Sequence, residues 1–210
     1  MDIWNFYKTV RSRNWLSYLV IWSRYLIGFA FIPSGMTKLL GNRFTSLPVS
    51  DPVGYFFEAM YRTGWYWNFL GLMQLTAALL LMTQRFASVG NLIFFPLSLN
   101  IFLITWSVGF KGTVYITGSM LLASLGLLMW DYPKWRSILA PDNSFHSQAQ
   151  ENWPTYNRHW IITGLMLFLE GCGMSLTGYW VPSMTASLLF LGLMALTFLV
   201  SVILFRFRKG

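Results

Sequence analysis

The sequence predicts an all-α membrane protein, a polytopic helix bundle with six transmembrane helices and both termini in the cytoplasm. Of its 210 residues, 55% are hydrophobic and 10% are charged, whereas soluble domains carry roughly 25% charged residues. Six apolar segments, each near the ~20 residues that cross a bilayer core of ~30 Å, are separated by polar connections. The composition therefore excludes a soluble globular domain and, with 19% aromatic residues, a disordered chain.

The six apolar segments are predicted to be helices because backbone N–H and C=O groups in lipid must hydrogen-bond within the chain. The first segment is expected to be a retained helix and not a cleaved signal peptide. Its apolar stretch is too long, contains Arg24 and lacks a small-residue cleavage site. The predicted spans are 15–40, 65–83, 88–108, 112–130, 160–177 and 183–205.

The connection 42–64 between the first two spans is long enough to hold a short helix. Asp51 can cap the N-terminus of this helix, and Pro52 suits its first turn. Glu58 and Arg62 lie four residues apart and can form an ion pair on one helix face. The apolar side chains of the segment allow two positions. The helix either packs on the membrane surface, which we favour, or folds back over the bundle as a lid.

The basic residues predict the orientation of the chain. With the N-terminus in the cytoplasm, ten of the 15 Lys and Arg residues lie in cytoplasmic segments and three lie on the other side. This is the bias of the positive-inside rule, and tryptophans near the predicted helix ends fit an aromatic belt. The net charge of +8 is therefore assigned to orientation and to contacts with anionic lipid, and not to nucleic-acid binding. We predict a multi-pass protein of the plasma (inner) membrane.

The long polar connection after the fourth span divides the chain into a four-helix block (1–135), a cytoplasmic linker (136–159) and a two-helix block (160–210). Cys172 is the only cysteine, so an intramolecular disulfide is excluded, and in an apolar segment its thiol is expected to be inert. His146 and His159 fall in the polar stretch, which is predicted to be a solvated loop. These side chains are too few for a haem, iron–sulfur or structural zinc site, and we predict no metal ligands and no catalytic residues.

Ionisable residues inside a membrane are costly and therefore mark candidate sites. Counted from the cytoplasmic helix ends, Arg24, Gln74 and Glu170 lie at similar depths, with Arg24 and Glu170 roughly 13–15 Å inside at 1.5 Å per residue. They are expected to form one polar layer with an Arg24–Glu170 salt bridge, completed by hydrogen bonds from Gln74. The layer either locks the helix arrangement or binds a polar headgroup, a quinone carbonyl or a proton. Asn100 would extend such a pocket.

A second candidate feature is Pro33, which interrupts the first helix shortly before Lys38. Proline removes a backbone hydrogen bond and kinks a helix. The kink either opens a cavity towards the outer side beside Lys38 or serves packing alone. The candidate ligand-binding residues are Arg24, Lys38, Gln74, Asn100 and Glu170.

Several short motifs resemble those of the DoxX-like family of membrane proteins. The similarity covers roughly residues 20–135, and the last two predicted helices extend beyond it. Members of that family often carry an acidic residue where this chain has Gln74, and Glu170 is a candidate to supply the acid instead. The motifs are RYLIG at 24–28, SGMTKL at 34–39, GLMQL at 71–75 and TQRFA at 83–87.

Some members of the family resemble the membrane subunit of a thiosulfate:quinone oxidoreductase, and others look like accessory factors for redox enzymes or for membrane-protein assembly. The resemblance implies an accessory or anchor subunit of a larger membrane complex, linked to quinone or respiratory redox chemistry. Its expected partners are lipids and other membrane subunits, and its expected non-covalent ligand is a quinone or a lipid. The alternative is a small transporter or a lipid- or small-molecule-binding protein that uses the layer of Arg24, Gln74 and Glu170. Catalysis by the chain alone ranks last, since no acid–base pair beyond Arg24 and Glu170 is evident.

Overall fold

A computed structural model describes residues 13–139, 158–180 and 184–207, and these residues form helices connected by turns and short loops. We number the helices α1 to α8 in chain order. Their bounds are α1 Asn14–Leu39, α2 Pro52–Arg62, α3 Trp65–Met82, α4 Ala87–Ser107, α5 Thr113–Trp130, α6 Tyr132–Leu139, α7 Arg158–Trp180 and α8 Met184–Phe207.

Five of these helices, α1, α3, α4, α5 and α7, are long and apolar enough to cross a membrane. The all-helical class and the membrane class are thereby supported. Helix α8 occupies the sixth predicted span, but its described apolar stretch, Leu188–Leu204, is shorter than the other five. The sixth span and the cytoplasmic position of both termini stay predictions, and the termini lie outside the described residues.

Helix α1 lies at the centre of the helix packing. It packs along α3 and α7 and also contacts α5. Its fully buried side chains Ile21 and Ile32 join Ala77, Ala78 and Leu81 of α3 in the core. Because lipid tails are as apolar as these side chains, close packing and not water exclusion holds such helices together.

Close packing of α1 on α3 depends on a glycine of α3. A Cβ atom built at Gly71 would lie 2.4 Å from the backbone N of Leu39 and 2.6 Å from the carbonyl O of Gly35. Small residues allow helix backbones in membranes to approach in this way. The close contact positions the last turn of α1, which carries Lys38, directly against α3.

The short helix α2 forms where it was predicted. Asp51 caps it, with its Oδ1 accepting hydrogen bonds from the backbone N–H groups of Val53 (2.8 Å) and Gly54 (3.3 Å). The predicted pair between Arg62 and Glu58 is present at 2.9 Å. Arg43, in the preceding loop, also binds Glu58 at 3.1 Å. The cap fixes the start of α2, and the ion pair with Arg43 holds the helix against the loop that precedes it.

Helix α7 joins the carboxyl-terminal pair to the first block, because it packs on α1, on the end of α3 and on α8. The predicted linker begins inside α6 and ends inside α7, and its residues 140–157, including His146, lie outside the described ones. The prediction of a solvated loop is wrong for His159. That side chain lies in the first turn of α7, with its Nε2 2.8 Å from the carbonyl O of Ser201 in α8.

The contact between α7 and α3 makes a prediction about Gly164. A Cβ atom at this position would lie 1.8 Å from the carbonyl O of Met82. Gly164→Ala should therefore force α7 away from α3 and destabilise the protein by about 1–3 kcal/mol, as overpacking typically does. Gly178→Ala is the control on the same helix, since a Cβ atom there meets nothing within 4 Å. Thermal unfolding of the purified protein in detergent measures both, and equal melting temperatures would contradict the described docking of α7.

Candidate functional site

The predicted layer of Arg24, Gln74 and Glu170 does not form. Arg24 instead binds Asp131, with its NH2 atom 2.9 Å from Oδ2. Glu170 accepts a hydrogen bond from the hydroxyl of Thr197 at 2.6 Å. The Gln74 carbonyl accepts one from Ser34 at 3.4 Å. The prediction of an Arg24–Glu170 salt bridge is therefore wrong.

The error lies in the depth assigned to Arg24. Helix α1 begins ten residues before Arg24, which is about 15 Å at 1.5 Å per residue. Its partners Gln84 and Asp131, however, lie two residues and one residue after the ends of α3 and α5. Arg24 therefore lies level with the ends of its neighbours, while Gln74 lies eight residues, about 12 Å, inside α3. We call the end of the bundle that holds Arg24 the proximal end and the end that holds α2 the distal end.

The proximal network has a structural role. Arg24 and Asp131 are each 1% exposed, and Arg24 also donates from NH1 to the side-chain carbonyl of Gln84 at 3.1 Å. Lys134 donates to Asp131 at 3.1 Å and to Ser88 at 2.8 Å. These bonds join α1, the turn between α3 and α4, and the junction of α5 and α6. The signal that could have found Asp131 is its position immediately after an apolar helix.

The distal half of the bundle holds a cavity of about 380 Å³. It lies between α1, α3, α4 and α5, and α2 covers its distal side. Its volume falls within the ~300–1,000 Å³ of small-molecule sites. The lining residues are Ala30, Phe31, Ser34, Lys38, Phe44, Phe56, Phe57, Met60, Tyr66, Trp67, Leu70, Gln74, Pro96, Leu97, Asn100, Ile101, Ile104, Thr105, Thr113, Ile116, Thr117 and Met120.

Lys38 is the charged group of this cavity and is only 7% exposed. Its ammonium donates to the carbonyl O of Ser34, at 3.2 Å, and to the Ser34 hydroxyl. It also lies 4.7 Å from the ring centroid of Phe44 and 5.1 Å from that of Trp67. An ammonium has three N–H donors, so one remains for a group inside the cavity.

Two further polar side chains face the same space from other helices. Gln74 of α3 is linked to Lys38 through the hydroxyl of Ser34. Asn100 of α4 also lines the cavity, and its side chain is exposed there. Three of the five predicted ligand-binding residues, Lys38, Gln74 and Asn100, are thus brought together. Arg24 and Glu170 are not among the residues that line the cavity.

Helix α2 forms the cover of the cavity through its apolar face. Phe56, Phe57 and Met60 line the interior, and the ring of Phe57 lies 4.7 Å from that of Phe44. The preference for packing of α2 on the membrane surface is therefore corrected: Phe56, Phe57 and Met60 face the bundle, although Tyr55 is exposed. The cavity lies beside Lys38, where Pro33 suggested one.

Comparisons with models of protein families, with curated proteins and with solved structures found no match for the chain. The resemblance to the DoxX-like family therefore stays a prediction that rests on the motifs quoted above. Within the described ranges, no group of three or more His, Cys, Asp and Glu side chains could hold a metal ion. The cavity is accordingly interpreted from its own geometry.

The proximal network makes a prediction about stability. Asp131→Ala should leave the buried Arg24 without its carboxylate, and breaking a buried ion pair in this way destabilises by about 3–5 kcal/mol. Arg62→Gln is the matched control, because this exposed pair is worth at most about 1 kcal/mol. Thermal unfolding in detergent is the measurement. The account would be contradicted if the two variants unfolded at the same temperature.

Proposed function

We propose that this protein binds an amphipathic ligand inside the membrane, with the ligand's polar head at Lys38, Gln74 and Asn100. The observation that carries the proposal is the cavity itself, which Lys38, Gln74 and Asn100 line from three helices together with apolar and aromatic side chains. Sites for small molecules commonly combine apolar walls with a few polar groups that orient the ligand.

The arrangement of the walls supports a ligand with two unlike ends. Lys38 belongs to the last turn of α1, next to the cover formed by α2. Ala30 lies eight residues earlier on the same helix, about 12 Å closer to the proximal end, and Phe31, Leu97 and Met120 line the cavity with it. A polar head at Lys38 would therefore leave an apolar tail among apolar side chains.

Binding is a better account of this cavity than catalysis. Among its lining residues, Lys38 is the only charged one, and general acid–base chemistry requires positioned groups that both give and accept protons. Of the two predicted functions, the cavity therefore supports the lipid- or small-molecule-binding alternative, built on Lys38, Gln74 and Asn100 in place of Arg24 and Glu170.

The prediction of an accessory or anchor subunit is compatible with the same cavity and stays a prediction. A quinone is the ligand that the family resemblance implies, and its carbonyl oxygens could accept hydrogen bonds from Lys38 and Asn100. Purification in mild detergent, with identification of co-purifying proteins, tests this role. A protein that purifies without partner subunits and without quinone would contradict it.

A cavity-filling variant tests the binding function. Ala30 lines the cavity, so Ala30→Trp should add an indole to its wall and displace a ligand that remains bound when the protein is extracted from its membrane. Ala195→Trp is the control, since Ala195 of α8 is exposed as Ala30 is but is not among the residues that line the cavity. Solvent extraction and mass spectrometry of the purified proteins measure the retained amphiphile per chain.

We expect the wild-type protein and Ala195→Trp to retain about one amphiphile per chain above the detergent background, and Ala30→Trp to lose at least nine-tenths of it. Size-exclusion chromatography confirms that each variant is folded before extraction. The same set of retained lipids in all three proteins would contradict the proposed function.

A further inference from the structure

We infer that the ligand of the Lys38 cavity is a single-chain amphiphile with an anionic head, a carboxylate or a phosphate monoester. This inference rests on the proposed function and names the chemical class of the ligand. It follows from the charge of the cavity, from the donors that face it and from its size.

The charge of the cavity is uncompensated by the protein. Lys38 is 7% exposed, and the described part of the chain provides no carboxylate within ion-pair distance of its ammonium. Arg24, which is also deeply buried, differs from Lys38 in this respect, because the carboxylate of Asp131 lies 2.9 Å from its guanidinium. Buried charges in proteins are normally paired, so the missing partner of Lys38 is expected to come from the ligand.

The acid of α2 and the acid that caps it are already engaged. Glu58 of α2 holds Arg43 at 3.1 Å and Arg62 at 2.9 Å. Asp51 accepts hydrogen bonds from the backbone N–H groups of Val53 and Gly54 in the first turn of α2. Both carboxylates therefore stabilise the cover of the cavity, and the ammonium of Lys38 is left with the hydroxyl and carbonyl of Ser34 and the faces of two rings.

The donors fit a small oxyanion better than a neutral head. Lys38 has one N–H that is not directed at Ser34, and Asn100, which lines the same cavity, carries an amide NH₂. Hydrogen bonds to an ionised acceptor are roughly twice as strong as those between neutral groups. A carboxylate or phosphate head would use both donors and neutralise the ammonium.

The size of the cavity limits how many hydrocarbon chains the anionic ligand can carry. A volume of about 380 Å³ lies near the lower limit for small-molecule sites, and Phe31, Leu97 and Met120 contribute apolar walls to this one space. It therefore suits one hydrocarbon chain. A diacyl phospholipid would leave most of its two tails outside the cavity.

Paired photoreactive probes test the inference. Hexadecanoic acid and hexadecanol, each with a diazirine in the middle of the chain, are crosslinked to the detergent-solubilised full-length protein, and labelled cavity peptides are quantified by mass spectrometry. The variants are Lys38→Met, which removes the charge at similar length, and Lys38→Arg, which retains it. Lys111→Met is the control, since Lys111 is an exposed lysine at the same end of the bundle.

We expect the acid to label the wild-type cavity at least tenfold more than the alcohol. Lys38→Met should reduce labelling by the acid to the level of the alcohol, while Lys38→Arg and Lys111→Met retain at least half of it. Unlabelled hexadecanoic acid and hexadecyl phosphate should compete, whereas diacyl phosphatidylglycerol should not.

Equal labelling by the two probes in the wild-type protein, or full labelling by the acid in Lys38→Met, would overturn the anionic head. Competition by the diacyl lipid alone would overturn the single chain and identify a bilayer lipid as the source of the anion. These results differ from a failure of the binding function itself. In that case Ala30→Trp would retain the same amphiphiles as the wild-type protein.

Discussion

The buried ion pair between Arg24 and Asp131 sets the position of α1, and the remaining features of the bundle depend on that position. A buried arginine needs a carboxylate, and the one that binds Arg24 directly follows the end of α5. Helix α1 is thereby fixed along its axis, with Arg24 level with the proximal ends of α3 and α5. Lys38, fourteen residues later, lies about 21 Å further along the axis and on nearly the same helix face, since fourteen residues are close to four turns. The ion pair at one end thus directs a lysine into the bundle at the other end.

The two buried cations differ in one respect that separates structure from function. Arg24 binds the carboxylate of Asp131 and the amide of Gln84, which lies in the turn between α3 and α4. This network closes the proximal end. Lys38 has the hydroxyl of Ser34, two aromatic faces and a cavity. Between them, Phe31 stacks on Phe94 with ring centroids 4.1 Å apart and forms the apolar floor. A charge that is satisfied within the protein stabilises the fold, whereas a charge that is left facing a cavity is available to a ligand.

Much of the fold follows from local rules that can be read in the sequence. Five of the six predicted spans are supported, because twenty apolar residues in lipid have few alternatives to a helix. The cap of α2 at Asp51 and the Glu58–Arg62 pair are confirmed, since both depend on spacings of two to four residues. Lys38, Gln74 and Asn100 share one cavity as members of the predicted set.

The failures come from distances that the sequence does not encode locally. Residue counts from each helix start predict an Arg24–Glu170 pair only where they equal membrane depth, and α1 extends well beyond the ends of α3 and α5. Asp131 was assigned to a connection, although an acid at a helix end can point back into the bundle. The position of α2 as a cover depends on contacts between Phe57 and rings far away in the sequence, and the pairing of His159 with Ser201 depends on the packing of α7 on α8.

The central claim is that the ammonium of Lys38 faces a cavity that a ligand from the membrane occupies. An electron cryo-microscopy map of the protein in lipid nanodiscs, at a resolution that shows side chains, tests it most directly. The account predicts density that belongs to no residue of the chain beneath α2, with its polar end within ~3 Å of the Lys38 Nζ atom and its tail towards Ala30. A cavity closed by protein side chains, or a Lys38 ammonium paired with Glu58, would contradict it.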